Sequence, residues 1–315
     1  MKNINRREFV KKSVLSASAV PFISPISSIL WASQENKLPI HIFSKHLQFL
    51  DYRSAGEIAA KIGFAGLDLT VRPNGHVLPK DVEKVLPKAI TDIKKGGSSC
   101  SLMTTAIESV RNERDMAVLK TAATLGIKFY RSNWFNYNGE TSMPEALLNY
   151  QQEVSDLSKI NKELGLVGCY QNHAGTRVGA SLWEVAKLLE TADPSHFGVQ
   201  YDIRHATVEG GLSWENGLKL IQEHIKTIVV KDFKWGLVDG EWTTVNTPIG
   251  GGMVDFKTYF GLLKKYNIQA PVILHMEYNL GGAEHGRTAL TVDKKVVFEA
   301  MKKDLKKVQE LWAEA

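Results

Sequence analysis

The chain has 315 residues, of which 43% are hydrophobic and 23% are charged, and these are ordinary values for a globular protein. They exclude a disordered or collagen-like chain, and no apolar run beyond the N-terminus is long enough to span a membrane. The formal charge is +5, but residues 1–33 carry five basic residues and one acidic residue, which leaves +1 for the rest. A nearly neutral body argues against a nucleic-acid partner, because such proteins concentrate Lys and Arg on one face.

The N-terminal residues 1–33 have the pattern of an export signal. Arg6 and Arg7 form a basic pair, and a moderately apolar stretch rich in Ser and Ala follows. This order is typical of a twin-arginine signal, and Pro21 and Pro25 disfavour a stable membrane anchor. A basic N-terminus that contains an Arg-Arg pair by chance is the alternative. The twin-arginine interpretation predicts that the protein folds in the cytoplasm and works in the periplasm.

Residues 34–315 alternate short apolar runs with longer segments of helical periodicity, and no linker divides them into two domains. The predicted strands cover residues 39–43, 66–69, 100–104, 128–131, 167–171, 197–201, 227–230 and 272–275. The predicted helices cover residues 54–62, 81–95, 114–125, 144–164, 182–189, 217–225, 255–266 and about 292–312. Strict alternation of eight strands with eight helices requires right-handed crossovers and favours a single (β/α)8 TIM barrel.

Polar side chains follow most of the predicted strands. Because the loops after the strands carry the chemistry of such a barrel, we expect these side chains to converge on one mouth. The candidate substrate-binding residues are His46, Arg72, Arg131, Trp134, Asn172 and Trp235. For each of them, capping a helix, fixing a loop or packing against it is the alternative role.

A carboxylate and an imidazole occur together after the sixth predicted strand. Asp202 lies three residues before His205, and Glu277 follows the eighth predicted strand. Carboxylates with a nearby imidazole are typical ligands of Mn²⁺, Co²⁺, Mg²⁺ or Zn²⁺. Such a metal would polarise the carbonyl group of a sugar.

Six segments of the chain share a pattern with a known superfamily. They are IGFAGLDL at 62–69, CYQNHAG at 169–175, YDIRHA at 201–206, VVKDF at 229–233, PIGGGMVDF at 248–256 and LHMEYN at 274–279. With these segments the sequence resembles the sugar phosphate isomerase/epimerase superfamily over about residues 38–311. These xylose isomerase-like barrels also include zinc AP endonucleases, ketose 3-epimerases and inosose dehydratases.

The resemblance implies a divalent metal, with ligands at Gln171, Asp202 and Glu277. Its usual metal ligands are Glu, Asp, His and Glu, and the position of the histidine is taken here by Val229, which cannot bind a metal. His173 or water would then supply the missing ligand. Because Gln171 cannot accept a proton, the departure weakens a mechanism in which two glutamates act on opposite faces of the sugar.

The resemblance implies a small carbohydrate as substrate but does not fix the reaction. Our leading hypothesis is a divalent-metal-dependent isomerase or epimerase that abstracts a proton next to the carbonyl of the sugar. Near neutral pH we expect His173 to be the base and Lys231 to be the electrophile or acid, with Glu277 and His205 as the other candidate bases. A lyase or dehydratase acting on a keto sugar or 3-keto-glycoside is one alternative. A degenerate barrel that binds sugar without turnover is another, and the sequence is compatible with an oligomer.

Overall fold

A computed structural model describes residues 38–315, so the predicted export signal at residues 1–33 lies outside the described residues. The strands are β1 (Ile40–Phe43), β2 (Gly66–Val71), β3 (Cys100–Thr105), β4 (Phe129–Arg131), β5 (Val167–Gln171), β6 (Phe197–Asp202), β7 (Ile225–Val230), β8 (Asp232–Val238), β9 (Glu241–Thr247) and β10 (Val272–Leu274). The α-helices are α1 (Tyr52–Ile62), α2 (Val82–Lys95), α3 (Glu113–Thr124), α4 (Met143–Leu164), α5 (Leu182–Leu189), α6 (Ile203–Gly210), α7 (Trp214–Ile221), α8 (Phe256–Lys265) and α9 (Lys294–Glu314).

Eight of the strands close into a parallel barrel in the order β1-β10-β7-β6-β5-β4-β3-β2. Strand β1 completes the closure because His41 pairs with Gly66 of β2 and Ile42 pairs with Leu274 of β10. The prediction of a single (β/α)8 TIM barrel is therefore confirmed.

Two glycines end helices and return the chain to the barrel. Gly63 follows α1 with φ of 104°, and Gly165 follows α4 with φ of 70°. Both values lie in the left-handed region that side chains with a Cβ rarely adopt. These caps let each helix stop directly before the next barrel strand.

An antiparallel hairpin interrupts the regular alternation after β7. Strands β8 and β9 pair with each other outside the barrel, and the two-residue turn between them has Asp239 at φ of 52° and Gly240 at φ of 85°. No strand was predicted here from the sequence, although an Asp-Gly pair between runs of β-forming residues is a strong hairpin signal. The hairpin supplies Asn246 of β9 to the cavity described below.

The main hydrophobic core lies between the barrel and its helices, where α9, for example, buries Val297, Met301 and Leu305. A smaller cluster joins Phe43, Leu102 and Ile273 of three barrel strands. Within residues 38–315, none of the helices combines the length and the apolar character that crossing a bilayer requires.

Candidate active site

The strand ends that carry the predicted polar residues open into one cavity of about 300 Å³. Eight of the predicted site residues line it: Arg72, Arg131, Trp134, Gln171, His173, His205, Lys231 and Glu277. Five further residues complete the wall: Phe43, Lys45, Arg204, Asn246 and His275. The cavity therefore lies at the carboxyl ends of the barrel strands, where enzymes of this fold carry their chemistry.

Asp202, the last residue of β6, is fully buried behind the cavity wall. Its Oδ2 accepts a hydrogen bond from Gln171 Nε2 at 2.8 Å and forms an ion pair with Lys231 Nζ at 3.0 Å. Its Oδ1 accepts a hydrogen bond from the backbone N–H of His205 at 3.2 Å, which caps the first turn of α6. Both oxygens of this carboxylate are thus satisfied by donors of the same chain.

Glu277 forms a second ion pair in the cavity wall. Lys45 Nζ donates to Glu277 Oε1 at 3.0 Å and to Oε2 at 2.8 Å, and His275 Nδ1 lies 3.6 Å from Oε1. Burial by itself would raise the pKa of Glu277, but the contact with His275 and the charges of Lys45 and Lys231 outweigh it and hold the pKa well below its usual range. Glu277 is therefore ionised at neutral pH and is a weak proton acceptor.

The predicted metal ligands do not fit a divalent cation in this arrangement. Gln171 points its amide nitrogen at Asp202, Glu277 is held through both oxygens by Lys45, and Val229 is an apolar residue buried in β7. In the part of the chain that the structure describes, no three His, Cys, Asp or Glu side chains come together as a metal site would require. Two lysine ammonium groups face the carboxylates at the positions where the resemblance implies a metal.

His173 presents a free lone pair to the cavity. Its Nδ1 lies 2.9 Å from the backbone oxygen of Ala174. Because a carbonyl oxygen only accepts, Nδ1 carries the proton and Nε2 keeps its lone pair. Burial, then the charge of Lys231, lowers the pKa of His173 to about 3, so the ring is unprotonated near neutral pH and its lone pair is available, although the same shift makes it a weaker base than a free imidazole.

His205 is held between two cationic side chains. Its Nδ1 lies 3.1 Å from Arg204 Nη1, and its Nε2 lies 2.7 Å from Lys231 Nζ. A neutral imidazole has one lone pair and can accept from only one of these groups. Burial, then the charge of Lys231, holds the pKa of His205 well below its usual range. The lone pair of His205 is therefore committed, whereas that of His173 is not.

Three predicted substrate-binding residues do not line the cavity. His46 is turned into the protein by a 3-10 turn after β1, where its Nε2 accepts from the N–H of Met276 at 2.9 Å and its Nδ1 contacts the oxygen of Ala283. Asn172 joins β5 to β6, because its side chain exchanges two hydrogen bonds with the backbone of Asp202. Trp235 lies on the hairpin with 45% of its surface exposed.

The glycine-rich segment of residues 248–256 surrounds a carboxylate of the chain itself. Asp232 accepts hydrogen bonds from the backbone N–H groups of Gly250, Gly252 and Val254. This segment is one of the six that carry the resemblance to the superfamily, and in the structure its backbone holds the side chain of Asp232. It anchors the base of the hairpin beside the cavity.

Lys45 and His275 are cavity residues that the predicted site omitted. Lys45 follows β1 directly beside His46, and the tight turn there points the lysine rather than the histidine at the cavity. His275 stacks on Phe43 with ring centroids 4.2 Å apart. Their place after β1 and β10 was visible in the sequence, but the direction of each side chain was not.

Comparison with solved structures supports the fold. A D-psicose 3-epimerase with D-tagatose from Clostridium cellulolyticum H10 is 11% identical, with a TM-score of 0.64 over 87% of this chain and 99% of the other. A 3-keto-D-glucoside 4-epimerase from E. coli is 13% identical, with a TM-score of 0.62 over 86% and 100% of the two chains. A xylose isomerase-like TIM barrel protein from Mycobacterium smegmatis, in complex with magnesium, is 11% identical, with a TM-score of 0.63 over 87% and 98%.

No curated protein sequence matches the chain. The family profile of the xylose isomerase-like TIM barrel matches residues 57–292, which is more than half of the chain. The chain therefore belongs to the xylose isomerase-like TIM barrel family.

Proposed function

We propose that this member of the xylose isomerase-like TIM barrel family is a carbohydrate isomerase or epimerase that abstracts a proton from the carbon next to a carbonyl group. One observation carries the proposal: the free lone pair of His173 and the ammonium groups of Lys45 and Lys231 line the same cavity. A base and an electrophile at one site are the parts that such a proton transfer requires. The sugar epimerases among the similar structures support the substrate class.

In the proposed mechanism, His173 Nε2 removes the proton. The Ala174 oxygen keeps Nδ1 protonated, so the imidazole stays in the tautomer that exposes Nε2. The enediolate that forms carries negative charge on its oxygens, and Lys45 and Lys231 stabilise this charge. Return of the proton from His173 to the neighbouring carbon, together with transfer of the hydroxyl proton between the two enediolate oxygens, gives the isomer. Protonation of the original carbon on its opposite face by another donor, while His173 keeps the abstracted proton, gives the epimer.

We infer that the two lysines take the role of the cation, and that the reaction does not depend on a divalent metal. Lys231 is 6% exposed and contacts Asp202, and Lys45 is bound to both oxygens of Glu277. These ion pairs hold the ammonium groups in fixed positions, so little reorganisation is needed when charge develops on the substrate.

Exchange of substrate hydrogen with deuterium from the solvent tests the base. D-tagatose and a 3-keto-D-glucoside are incubated in D2O with the wild type, with His173→Gln and with His285→Gln, and the α-hydrogen is followed by NMR. His285 is a suitable control because 69% of its side chain is exposed and it does not line the cavity. We expect His173→Gln to lose at least about 100-fold in exchange rate, the lower range for a general base. Unchanged exchange in His173→Gln would assign the base to another residue.

Elimination by a lyase or dehydratase is the second candidate function. It is favoured by Gln171, whose amide is bonded to Asp202 and offers no carboxylate that could return a proton from the opposite face. In the same experiment, release of the aglycone from the 3-keto-D-glucoside identifies the lyase, whereas an intact product with inverted configuration identifies the epimerase. Binding of sugar without exchange or release would identify a barrel that only binds.

We also propose that residues 1–33 export the protein through the twin-arginine pathway to the periplasm. The proposal depends on the Arg6–Arg7 pair in the sequence. Changing both arginines to lysine keeps the charge but removes the recognised pair, so the double variant should accumulate in the cytoplasm. Fractionation with an unaltered periplasmic share of the variant would reject the signal.

A further inference from the structure

The wall of the cavity carries an excess of positive charge. Five cationic side chains line it, namely Lys45, Arg72, Arg131, Arg204 and Lys231, and Glu277 is the one carboxylate among the lining residues. Lys45 is neutralised by Glu277 and Lys231 by Asp202. Among residues 38–315, none of the three arginines has a carboxylate oxygen within 4.0 Å. The unneutralised charge therefore belongs to guanidinium groups.

Arg131 is the most deeply placed of these arginines. Its side chain is 3% exposed, its guanidinium stacks over Trp134 at 4.0 Å, and its Nη2 donates to the backbone oxygen of Thr105 at 3.3 Å. Its Nη1 is buried and has no hydrogen-bond partner in the described chain. A charged donor that is buried without a partner costs free energy, so an acceptor from outside the chain would stabilise Arg131 Nη1.

Arg72 faces the same cavity from the end of β2. It is half-buried, lies 5.5 Å from the ring of Phe43, and makes no side-chain hydrogen bond to the rest of residues 38–315. The charge of Arg72 also lowers the pKa of Arg131, after the larger effect of burial, so the two guanidinium groups repel each other. An anion between them would relieve this repulsion.

Asp68 does not supply that anion. It is buried within the same strand, β2, where its Oδ2 accepts a hydrogen bond from Thr104 at 2.7 Å and its Oδ1 has no partner among the described residues. No ion pair within 4.0 Å joins it to Arg72 or Arg131 in the described residues. Asp68 balances part of the charge from a distance, and it leaves Arg131 Nη1 and the guanidinium group of Arg72 without a hydrogen-bond partner among the described residues.

We propose that the substrate is an acidic sugar whose carboxylate binds between Arg72 and Arg131. Guanidinium groups bind carboxylates through two parallel hydrogen bonds, a geometry that a lysine cannot provide. The carboxylate would anchor one end of the sugar, while its carbonyl end meets His173 and the two lysines. This inference rests on the proposed function, because it names the substrate class of the same cavity.

Binding of D-glucuronate compared with D-glucose tests the proposal by calorimetry. We expect the wild type to bind D-glucuronate at least 10-fold more tightly than D-glucose, and Arg72→Met to lose that difference while its affinity for D-glucose stays the same. Arg177→Met is the matched control, because Arg177 is exposed and lies 4.8 Å from Trp134 without lining the cavity. Arg131→Lys is a second variant, and since it is buried, its melting temperature is measured first.

Equal affinity of the wild type for the two sugars, or unchanged D-glucuronate binding by Arg72→Met, would overturn the proposal. Tighter binding of D-glucose 6-phosphate than of D-glucuronate would also overturn it, because the subsite would then suit a phosphoryl group. The binding experiment tests the acidic substrate and the exchange experiment tests the proton transfer, so failure of one can be told from failure of the other. His173→Gln should keep its affinity for D-glucuronate, so loss of exchange without loss of binding concerns only the proton transfer. Exchange of D-tagatose without preference for D-glucuronate would reject only the acidic substrate.

Discussion

Divalent metal should neither stabilise nor activate the wild-type protein, because both candidate carboxylates are already paired with lysines. The Lys231–Asp202 pair has side-chain exposures of 7% and 0%, and the Lys45–Glu277 pair has 13% and 23%. Breaking a buried pair costs about 3–5 kcal/mol, so freeing both carboxylates for a metal would cost roughly 6–10 kcal/mol. Since about 1.4 kcal/mol is a factor of ten in affinity, a metal site here would be weakened at least about 10⁴-fold.

Thermal unfolding after dialysis against EDTA, with and without 1 mM MnCl2, measures this difference. A site with a Kd of about 10 µM would raise the free energy of unfolding by about 2.7 kcal/mol, or roughly 5–11 °C in Tm. We expect a shift below about 1 °C for the wild type, and unchanged deuterium exchange in EDTA.

A variant with the superfamily's ligands provides the positive control. It combines Lys45→Ala and Lys231→Ala with Gln171→Glu and Val229→His. Val229 lies in β7 two residues before Lys231, which follows the strand and lines the cavity, so the alternation of side chains places both on the same face. This variant should gain metal-dependent stability. A wild type that melts more than about 5 °C lower in EDTA, or that loses exchange there, would refute the reasoning about the lysine pairs.

Three further outcomes are expected away from the cavity. Burial raises the pKa of Asp304 to about 6, so the folded protein binds a proton more tightly than the unfolded chain does. The free energy of unfolding should therefore fall by up to about 3 kcal/mol as the pH rises from 4 to 6. Asp304→Asn should flatten this dependence in urea titrations, while a wild-type curve without it would contradict the assignment. Gly252→Ala should lower the free energy of unfolding by about 1–3 kcal/mol, because the new Cβ would overlap Asp232 Oδ1 and the oxygen of Phe233. Gly261→Ala in α8, where a Cβ meets no atom within 4 Å, should instead stabilise by about 0.5–1 kcal/mol, and a loss in this variant would show that helix propensity does not decide there.

The barrel could be predicted because its strands are short apolar runs bounded by polar residues, and its helices keep a regular apolar face. All eight barrel strands lie within two residues of their predicted ends. The hairpin was missed because β8 and β9 are largely exposed and show no continuous apolar run. Their signal was the turn at Asp239 and Gly240, which depends on two residues rather than on periodicity.

The pairing inside the cavity could not be predicted, because it depends on residues that are distant in sequence. Lys45 and Glu277 are 232 residues apart and meet only when β1 closes the barrel against β10. Sequence reasoning placed Glu277 among the metal ligands for its residue type and position. Neither the residue type nor the position of Glu277 indicates that Lys45, which follows β1, contacts both oxygens of this carboxylate.

The two departures from the superfamily's usual metal ligands, Gln171 and Val229, both make the cavity less attractive to a divalent cation. Glutamine at position 171 removes a carboxylate, and valine at position 229 removes an imidazole, so the remaining anions are Asp202 and Glu277. Two ammonium groups balance these two carboxylates, which leaves no net negative charge to attract a divalent cation. The same balance leaves Arg72 and Arg131 unneutralised in the cavity wall. This charge balance predicts a weak attraction for a divalent cation and an attraction for an anion. The manganese experiment measures the first, and the D-glucuronate experiment measures the second.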